Sequence, residues 1–333
     1  MLEEYIVGKI IAITATKDTD LDRIYELVPP DIELKRIDVD EPISIQSQQM
    51  SGVVALLHAG RPYEKFDTEL ARLCPSLRLV QTTSAGVDRF DVTELAELGV
   101  KVANNNGGNS IAVAEHTISL MVSVYRKLSL QFASVAKGDW MGEIRQSWGP
   151  KAHEVAGKTV GVVGLGHIGS KVARRLMGWE CSVIFHDPDS DLEEISDEMN
   201  IESVSLDELL TSSDVVSLHV PLNASTRGMI GDEELGKMKP TAILINTCRG
   251  PVVDEQALIS ALKSGKIAGA GLDVLEQEPS EEDNPLLEME NVAITPHLAG
   301  MSIESGPRSA NFAIENLVRV TRGQEPLSVV PPV

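Results

Sequence analysis

The sequence predicts an α/β protein built of two doubly wound parallel sheets. Three observations lead there. Short β-branched apolar runs alternate with helical stretches from residue 9 to residue 103, and again from residue 158 to residue 295. One compact strand–turn–helix–strand unit, KTVGVVGLGHIGSKVARRLMGWECSVIFHD (158–187), opens the second series. A helical stretch rich in Ala, Ile, Leu and Val, Ser302 to Thr321, closes the chain. We expect it to return to the first series and so make that domain discontinuous.

The first series reads as five strands. Residues 9–15 (KIIAITA) form a strand, and Asp18 to Val28 a helix that Pro29-Pro30 stops. Glu33 to Val39 form the second strand and Gly52 to His58 a buried third. Asp67 to Leu73 are helical, Leu77 to Thr82 a strand, Val92 to Leu98 a helix and Val100 to Ala103 a short strand. After Thr82 comes the turn Ser84-Ala85-Gly86-Val87-Asp88. Asn104 to Asn109 (NNNGGN) are a breaker cluster and a candidate hinge. Ser110 to Lys127 read as a helix so apolar that little of it can face water, hence a packing element and a candidate subunit contact. Lys137 to Ala156, with Trp140, Trp148 and three glycines, reads as loop-rich surface.

In the opening unit of the second series, Val160 to Val163 are a buried strand, Ser170 to Trp179 a helix and Cys181 to Phe185 the next strand. Gly164, Gly166 and Gly169 stand between strand and helix in the spacing G-x-G-x-x-G. Gly164 permits the tight turn, Gly166 lets a pyrophosphate approach bare backbone, and Gly169 lets helix and strand pack closely. The helix N-terminus supplies unpaired N–H groups and partial positive charge. Asp187 follows at the end of the next strand, where a carboxylate can bind a ribose 2′-hydroxyl. It would repel a 2′-phosphate, and Pro188, Asp189 and Ser190 include no base to accept one. The unit therefore predicts dinucleotide binding with NAD preferred over NADP.

Composition excludes several classes. A formal net charge of −21 disfavours nucleic acid and anionic membrane, both of which need clustered Lys and Arg. The three cysteines (Cys74, Cys181, Cys248) form no C-x-x-C pair and no metal-ligand spacing with the histidines, so no metal is expected and a reducing, cytoplasmic interior fits. The N-terminal stretch MLEEYIVGKIIAITA carries acids where a signal peptide needs bases, and its apolar run is too short to span a bilayer.

The remaining elements are Leu206–Leu210 (helix), Val215–Val220 (strand), Glu233–Met238 (helix), Ala242–Asn246 (strand), Asp254–Ser264 (helix, ended by Gly265), and the strands Gly271–Leu275 and Val292–Thr295. Three polar residues stand at or just past strand ends: Arg249, Glu278 and His297. Ligands of open α/β sheets bind outside the carboxyl ends of the strands, so the three could converge. They suit hydride exchange at a carbon bearing oxygen. His297 would give or take the hydroxyl proton, Glu278 would orient the ring and favour imidazolium, and Arg249 would fork onto a carboxylate and polarise the carbonyl. Singly, each also fits a duller account: a surface ion-pair Arg, a solvated Glu in an acidic run, a structural His.

The sequence resembles the D-isomer-specific 2-hydroxyacid dehydrogenases. The resemblance rests on SAGVD (84–88), NNNGGNSIAVAEHTI (104–118), GKTVGVVGLGHIG (157–169), SLHVPLNASTRGMI (217–230), INTCRGPVVDEQAL (245–258), GLDVLEQEP (271–279) and ITPHLAG (294–300), in that order. It implies a Rossmann NAD-binding domain (105–299) inserted into a discontinuous flavodoxin-like substrate domain (1–104 plus 300–333), with the active site in the cleft between. It implies Arg249, Glu278 and His297 in the roles above. It further implies that His167 and Ile168 touch the pyrophosphate and that Pro221, Thr226 and Thr247 line the cofactor. Asp273 would reach the nicotinamide amide, and backbone around Ala85, Gly86 and Val87 would hold the substrate carboxylate, a nest-like anion site. The substrate expected is a small 2-oxo or D-2-hydroxy acid, and the assembly a homodimer.

Pro251 stands where the family often has Gly, which would stiffen the turn after Arg249. Cys248 reads as a space-filler. Arg61, in the stretch 58–62 where relatives differ by substrate, could meet a phosphate or second carboxylate, or be an ordinary exposed Arg. Fold alone leaves two other functions open: an NADH-reading co-repressor-like protein, or a relative acting on phosphite or formate.

Overall fold

The structure is a computed structural model and describes residues 9–16, 21–59, 66–140, 142–188 and 192–332. The expected helix start at Asp18, Arg61, and Asp189 and Ser190 lie outside the described residues. The chain divides into two compact units, Met1–Asn109 with Ser302–Val333, and Ser110–Met301.

The first unit holds β1 (Ile10–Ala15), α1 (Asp22–Leu27), β2 (Glu33–Asp38), α2 (Ile43–Gln49), β3 (Ala55–His58), α3 (Thr68–Arg72), β4 (Leu79–Thr82), α4 (Val92–Glu97) and β5 (Lys101–Ala103). Its sheet is parallel throughout, in the order β2-β1-β3-β4-β5, the flavodoxin-like order. Strand alternation sorts the side chains onto two faces. Ala12, Leu56 and Val80 point to one face and pack with Phe66, Leu70, Phe90 and Leu95. Ile11, Ile13, Leu57 and Leu79 point to the other, where Ala313, Ile314 and Leu317 of the closing helix (Ser305–Thr321) cover them. The expected return of that helix is thus observed. Buried Asn316 pins it: its Nδ2 donates to Gln81 Oε1 at 2.7 Å and to the Leu327 carbonyl at 2.9 Å. The tail then runs antiparallel beside β5, with Val330 N–H donating to Val102 O at 2.9 Å.

The second unit begins with α5 (Ser110–Arg126), α6 (Leu128–Ala136) and α7 (Glu143–Ser147). It continues through β6 (Thr159–Val163), α8 (Gly169–Leu176), β7 (Ser182–His186), α9 (Glu193–Met199), β8 (Glu202–Ser203), α10 (Leu206–Ser212), β9 (Val215–Leu218), α11 (Asp232–Lys237), β10 (Ile243–Asn246), α12 (Glu255–Ser264), β11 (Gly269–Leu272) and β12 (Val292–Ile294). The sheet is parallel, in the order β12-β11-β10-β9-β6-β7-β8. This is the Rossmann order with one strand added, and its switch point lies between β6 and β9. Asp254 caps α12 by accepting the Ala257 N–H, and Gly265 ends it in the left-handed region at φ 72°.

Four helices and one short strand differ from expectation among the described residues. The sequence reading assigns no element at α2, α6, α9 or β8, and treats the stretch containing α7 as loop. α2 follows Pro42 with a polar run, and no side chain caps it. None of the residues of α6 is buried, so no inward stripe betrays its period. Lys127, left-handed at φ 53°, separates α6 from α5, and its ammonium lies 4.8 Å from the Trp148 ring centre.

Candidate active site

The glycine loop between β6 and α8 fits a dinucleotide phosphate. Gly164 is left-handed at φ 90°, and a Cβ there would stand 2.8 Å from the His219 carbonyl oxygen. A Cβ on Gly169 would fall 1.9 Å from the Gly164 oxygen, whereas one on Gly166 would meet nothing within 4 Å. Two glycines are therefore demanded by packing and one faces open space, where a ligand can approach the backbone. No side chain caps α8 at Ile168. Its N-terminal amides and partial charge suit the pyrophosphate of NAD. His167 is exposed and Ile168 half-buried at this end. Half-buried Asp187 closes β7, and its Oδ2 accepts the Leu165 N–H at 2.7 Å, tying the acid to the loop.

Across the switch point, Thr226 Oγ1 donates to the Pro221 carbonyl at 2.6 Å, and Asn223 Oδ1 accepts the Ser225 and Thr226 amides. These bonds fix the turn after β9. Behind it His219 is half-buried. Its Nε2 pairs with Ser217 Oγ at 2.9 Å and its Nδ1 has no partner among the described residues, so burial pushes its pKa down to about 3.

After β10, Asn246 builds the turn that carries Arg249. Its Nδ2 donates to Arg249 O, and its Oδ1 accepts from the Cys248 amide and thiol. The buried Cys248 thiol is pushed up to about 11 by burial, consistent with a space-filler. Thr247 is buried and its hydroxyl meets Thr117 Oγ1 of α5 at 2.9 Å. Arg249 is half-buried, and its Nη1 donates to Cys248 O at 2.7 Å. Next to it, a Cβ on Gly250 would lie 1.8 Å from Leu275 O, so the Arg249 turn abuts the 275–278 segment directly. Pro251 is the second residue of a 3-10 turn (Gly250–Val252), a first-turn position that tolerates proline.

Leu275 in turn donates its N–H to Glu278 Oε1 at 3.0 Å. Glu278 Oε2 accepts from His297 Nδ1 at 2.6 Å. His297 itself is left-handed at φ 54°, just past β12, and its amide donates to Asp273 O at 2.8 Å. Asp273, 2% exposed at the end of β11, turns its carboxylate to the same segment. Oδ1 accepts the Leu298 amide at 3.0 Å and the Thr295 hydroxyl at 2.6 Å, and Oδ2 accepts the Ala299 amide at 2.8 Å. His116 of α5 joins from the other side, its Nε2 2.8 Å from Thr295 Oγ1. The sequence reading passes over both His116 and Thr295. The available signal was a lone imidazole on an otherwise apolar helix.

In the first unit, the turn after β4 directs its carbonyls inward. Ser84 O accepts from the Asn105 amide, Ala85 O from Asn104 Nδ2, and Gly86 O from Ser84 Oγ. Among the described residues no group of three His, Cys, Asp or Glu side chains could hold a metal, and no helix is long and apolar enough to cross a membrane.

Residues 118–299 match the family model for the D-isomer specific 2-hydroxyacid dehydrogenase NAD binding domain. A glyoxylate reductase of Thermofilum pendens is 41% identical over 272 residues, which cover 80% of this chain and 78% of that protein. The solved structure of a glyoxylate reductase from Paecilomyes thermophila matches with a TM-score of 0.86 and 31% identity, over 97% of this chain and 98% of that one. An NADPH-dependent glyoxylate/hydroxypyruvate reductase from Sinorhizobium meliloti, solved with NADP and malonate, matches with a TM-score of 0.80 and 29% identity, over 97% of each chain. A family model over more than half of the chain, with relatives this similar, means that the protein belongs to the D-isomer-specific 2-hydroxyacid dehydrogenases and is an oxidoreductase of that family.

Proposed function

We propose that the protein uses NAD(H) to interconvert a small 2-oxo acid and its D-2-hydroxy acid. The observation that carries this reading is the 2.6 Å bond from His297 Nδ1 to Glu278 Oε2. With Nδ1 committed to a carboxylate, Nε2 is the nitrogen that exchanges a proton with the substrate oxygen, and Glu278 holds the ring and balances the imidazolium. Arg249 forks onto the substrate carboxylate and polarises the carbonyl. Backbone N–H groups of Ala85, Gly86 and Val87 share that carboxylate. When bound, the nicotinamide supplies or takes the hydride.

For the cofactor we propose pyrophosphate contacts from Gly164, Gly166, His167, Ile168 and Gly169, and a lining from Pro221, Thr226 and Thr247. Asp273 already takes three donors on its carboxylate, which leaves one lone-pair direction for the nicotinamide amide. Asp187 favours NAD over NADP by accepting the ribose 2′-hydroxyl. One similar enzyme is NADPH-dependent, so the choice is measured directly as the ratio of kcat/KM for the two cofactors. We further propose a homodimer through the second unit, where Phe132 (70% exposed), Val135 (51%) and Trp140 (76%) present apolar surface. The free thiols Cys74, Cys181 and Cys248 suit a cytoplasmic setting.

The test is NADH oxidation with glyoxylate, hydroxypyruvate, pyruvate, 2-oxoglutarate and phenylpyruvate. Turnover of at least one is expected. No rate above background on any of them ends this reading.

A further inference from the structure

Proton bookkeeping at the Asp273 carboxylate leads past the residues named so far. An ionised carboxylate only accepts hydrogen bonds. The single Thr295 hydroxyl proton therefore points to Asp273 Oδ1, 2.6 Å away. Thr295 Oγ1 must then accept at its other contact, which makes His116 Nε2–H the donor across 2.8 Å. The order is fixed: His116 donates to Thr295, Thr295 donates to Asp273. His116 Nε2 also lies 3.6 Å from Asp273 Oδ1, so its N–H faces the acid directly.

The far end of this chain is the His297 segment. Asp273 holds it by three backbone groups: the Leu298 and Ala299 amides on its carboxylate and the His297 amide on its carbonyl. A histidine at φ 54° occupies a conformation that L side chains rarely adopt, and it keeps that conformation only where its surroundings over-determine it. The Asp273 carbonyl thus holds His297 itself and its carboxylate holds the two residues after it, so the side chain's setting bears on where the His297 ring meets Glu278. His116 is anchored on α5, whose Val113, Ala114, Thr117 and Met121 are buried in the unit's core. The imidazole itself is half-buried and is held by its bond to Thr295.

We propose that His116 is a positioning residue for the acid/base histidine, acting through Thr295 and Asp273. In this role it needs no contact with substrate or cofactor. The inference rests on His297 having the role given under Proposed function.

Thr295→Val keeps the side-chain shape and removes the hydroxyl. His116→Leu removes the donor, and His116→Gln keeps an N–H donor on a side chain of similar reach. Both loss variants are expected to lower kcat about 10- to 10²-fold, while the KM for the 2-oxo acid stays within about two-fold. His116→Gln should restore most of the loss. His116→Leu combined with Thr295→Val should be no slower than the worse single variant, because the two form one chain. Unchanged kcat in His116→Leu, a fully additive double variant, or no recovery in His116→Gln overturns the proposal. Ring ¹⁵N spectra of histidine-labelled protein supply a readout without turnover, with His297→Ala and His116→Leu assigning the signals. The His116 ring should carry its proton on Nε2, and Thr295→Val should move the His297 ring resonances. If the unaltered protein reduces no 2-oxo acid, the functional reading fails while these spectra still decide the linkage. An unmoved His297 signal rejects the linkage even if the enzyme is active.

Discussion

His297 pays for its place with backbone strain, of order 1–3 kcal/mol for a non-glycine residue in the left-handed region, and Asp273 offsets it with three hydrogen bonds. If the ring is the acid/base, His297→Ala should cost about 10²- to 10⁴-fold in kcat, read in the NADH assay; an unchanged rate removes it from that role. Two other histidines predict a pH effect on stability. Burial holds His58 down to about 4 and His219 to about 3, against 6.5 when exposed. Between those limits and pH 6.5 the unfolded chain binds more protons than the folded one. The stability they contribute is full above about pH 6.5 and is lost as pH falls through that window, by up to about 1.4 kcal/mol per pH unit for each ring. Urea midpoints at pH 7.5 and 5 should show the fall, and His58→Gln or His219→Gln should flatten it. At this scale the pairing of Glu278 with His297 was legible, because both stand past strand ends of one parallel sheet. Thr295 and His116 were not legible, because a hydroxyl beside a proline and one imidazole on an apolar helix carry no periodicity. Their pairing exists only once β12 and α5 are side by side.

At the scale of elements, the glycine loop separates two effects that a motif treats alike. Gly169→Ala would drive a methyl to within 1.9 Å of the Gly164 oxygen and should destabilise the second unit outright. Gly166→Ala meets no neighbour, so its melting temperature should stay near the parent's while NADH affinity falls. Equal affinity for NADH in Gly166→Ala would mean that the ligand does not approach there. The central strands were legible because both of their faces are buried, which leaves largely apolar runs such as Ala55–His58 and Ile243–Asn246, whereas the exposed edge strand Glu202–Ser203 was not. Two of the helices that escaped notice, α6 and α2, lack an inward stripe. Leu128–Ala136 is apolar on several sides yet has no buried residue, and Ile43–Gln49 is mostly polar. Hydrophobic period reports what an element packs against within its own unit, and α6 packs little of itself there.

At the scale of the whole molecule, charge and contiguity matter most. A formal charge of −21 means that self-repulsion opposes compaction, so the melting temperature should rise as salt increases from about 0.05 to 0.5 M and the Debye length shrinks. A flat response would show that the acids are already locally compensated. If the exposed face of α6 is the dimer contact, Phe132→Asp with Val135→Asp should convert the protein to monomers by light scattering, while the secondary structure is kept. The two units also differ in how they are drawn from the chain. The second is one continuous stretch, whereas the first lacks its closing helix until residues beyond 301 are made. On the ribosome, Ile11, Ile13, Leu57 and Leu79 must therefore wait, only partly covered by α1 on one face of an unfinished sheet, until the inserted unit has been synthesised. The half that emerges first is the half that matures last. Any slowing of translation after residue 301 lengthens the interval in which a nascent chain needs a chaperone.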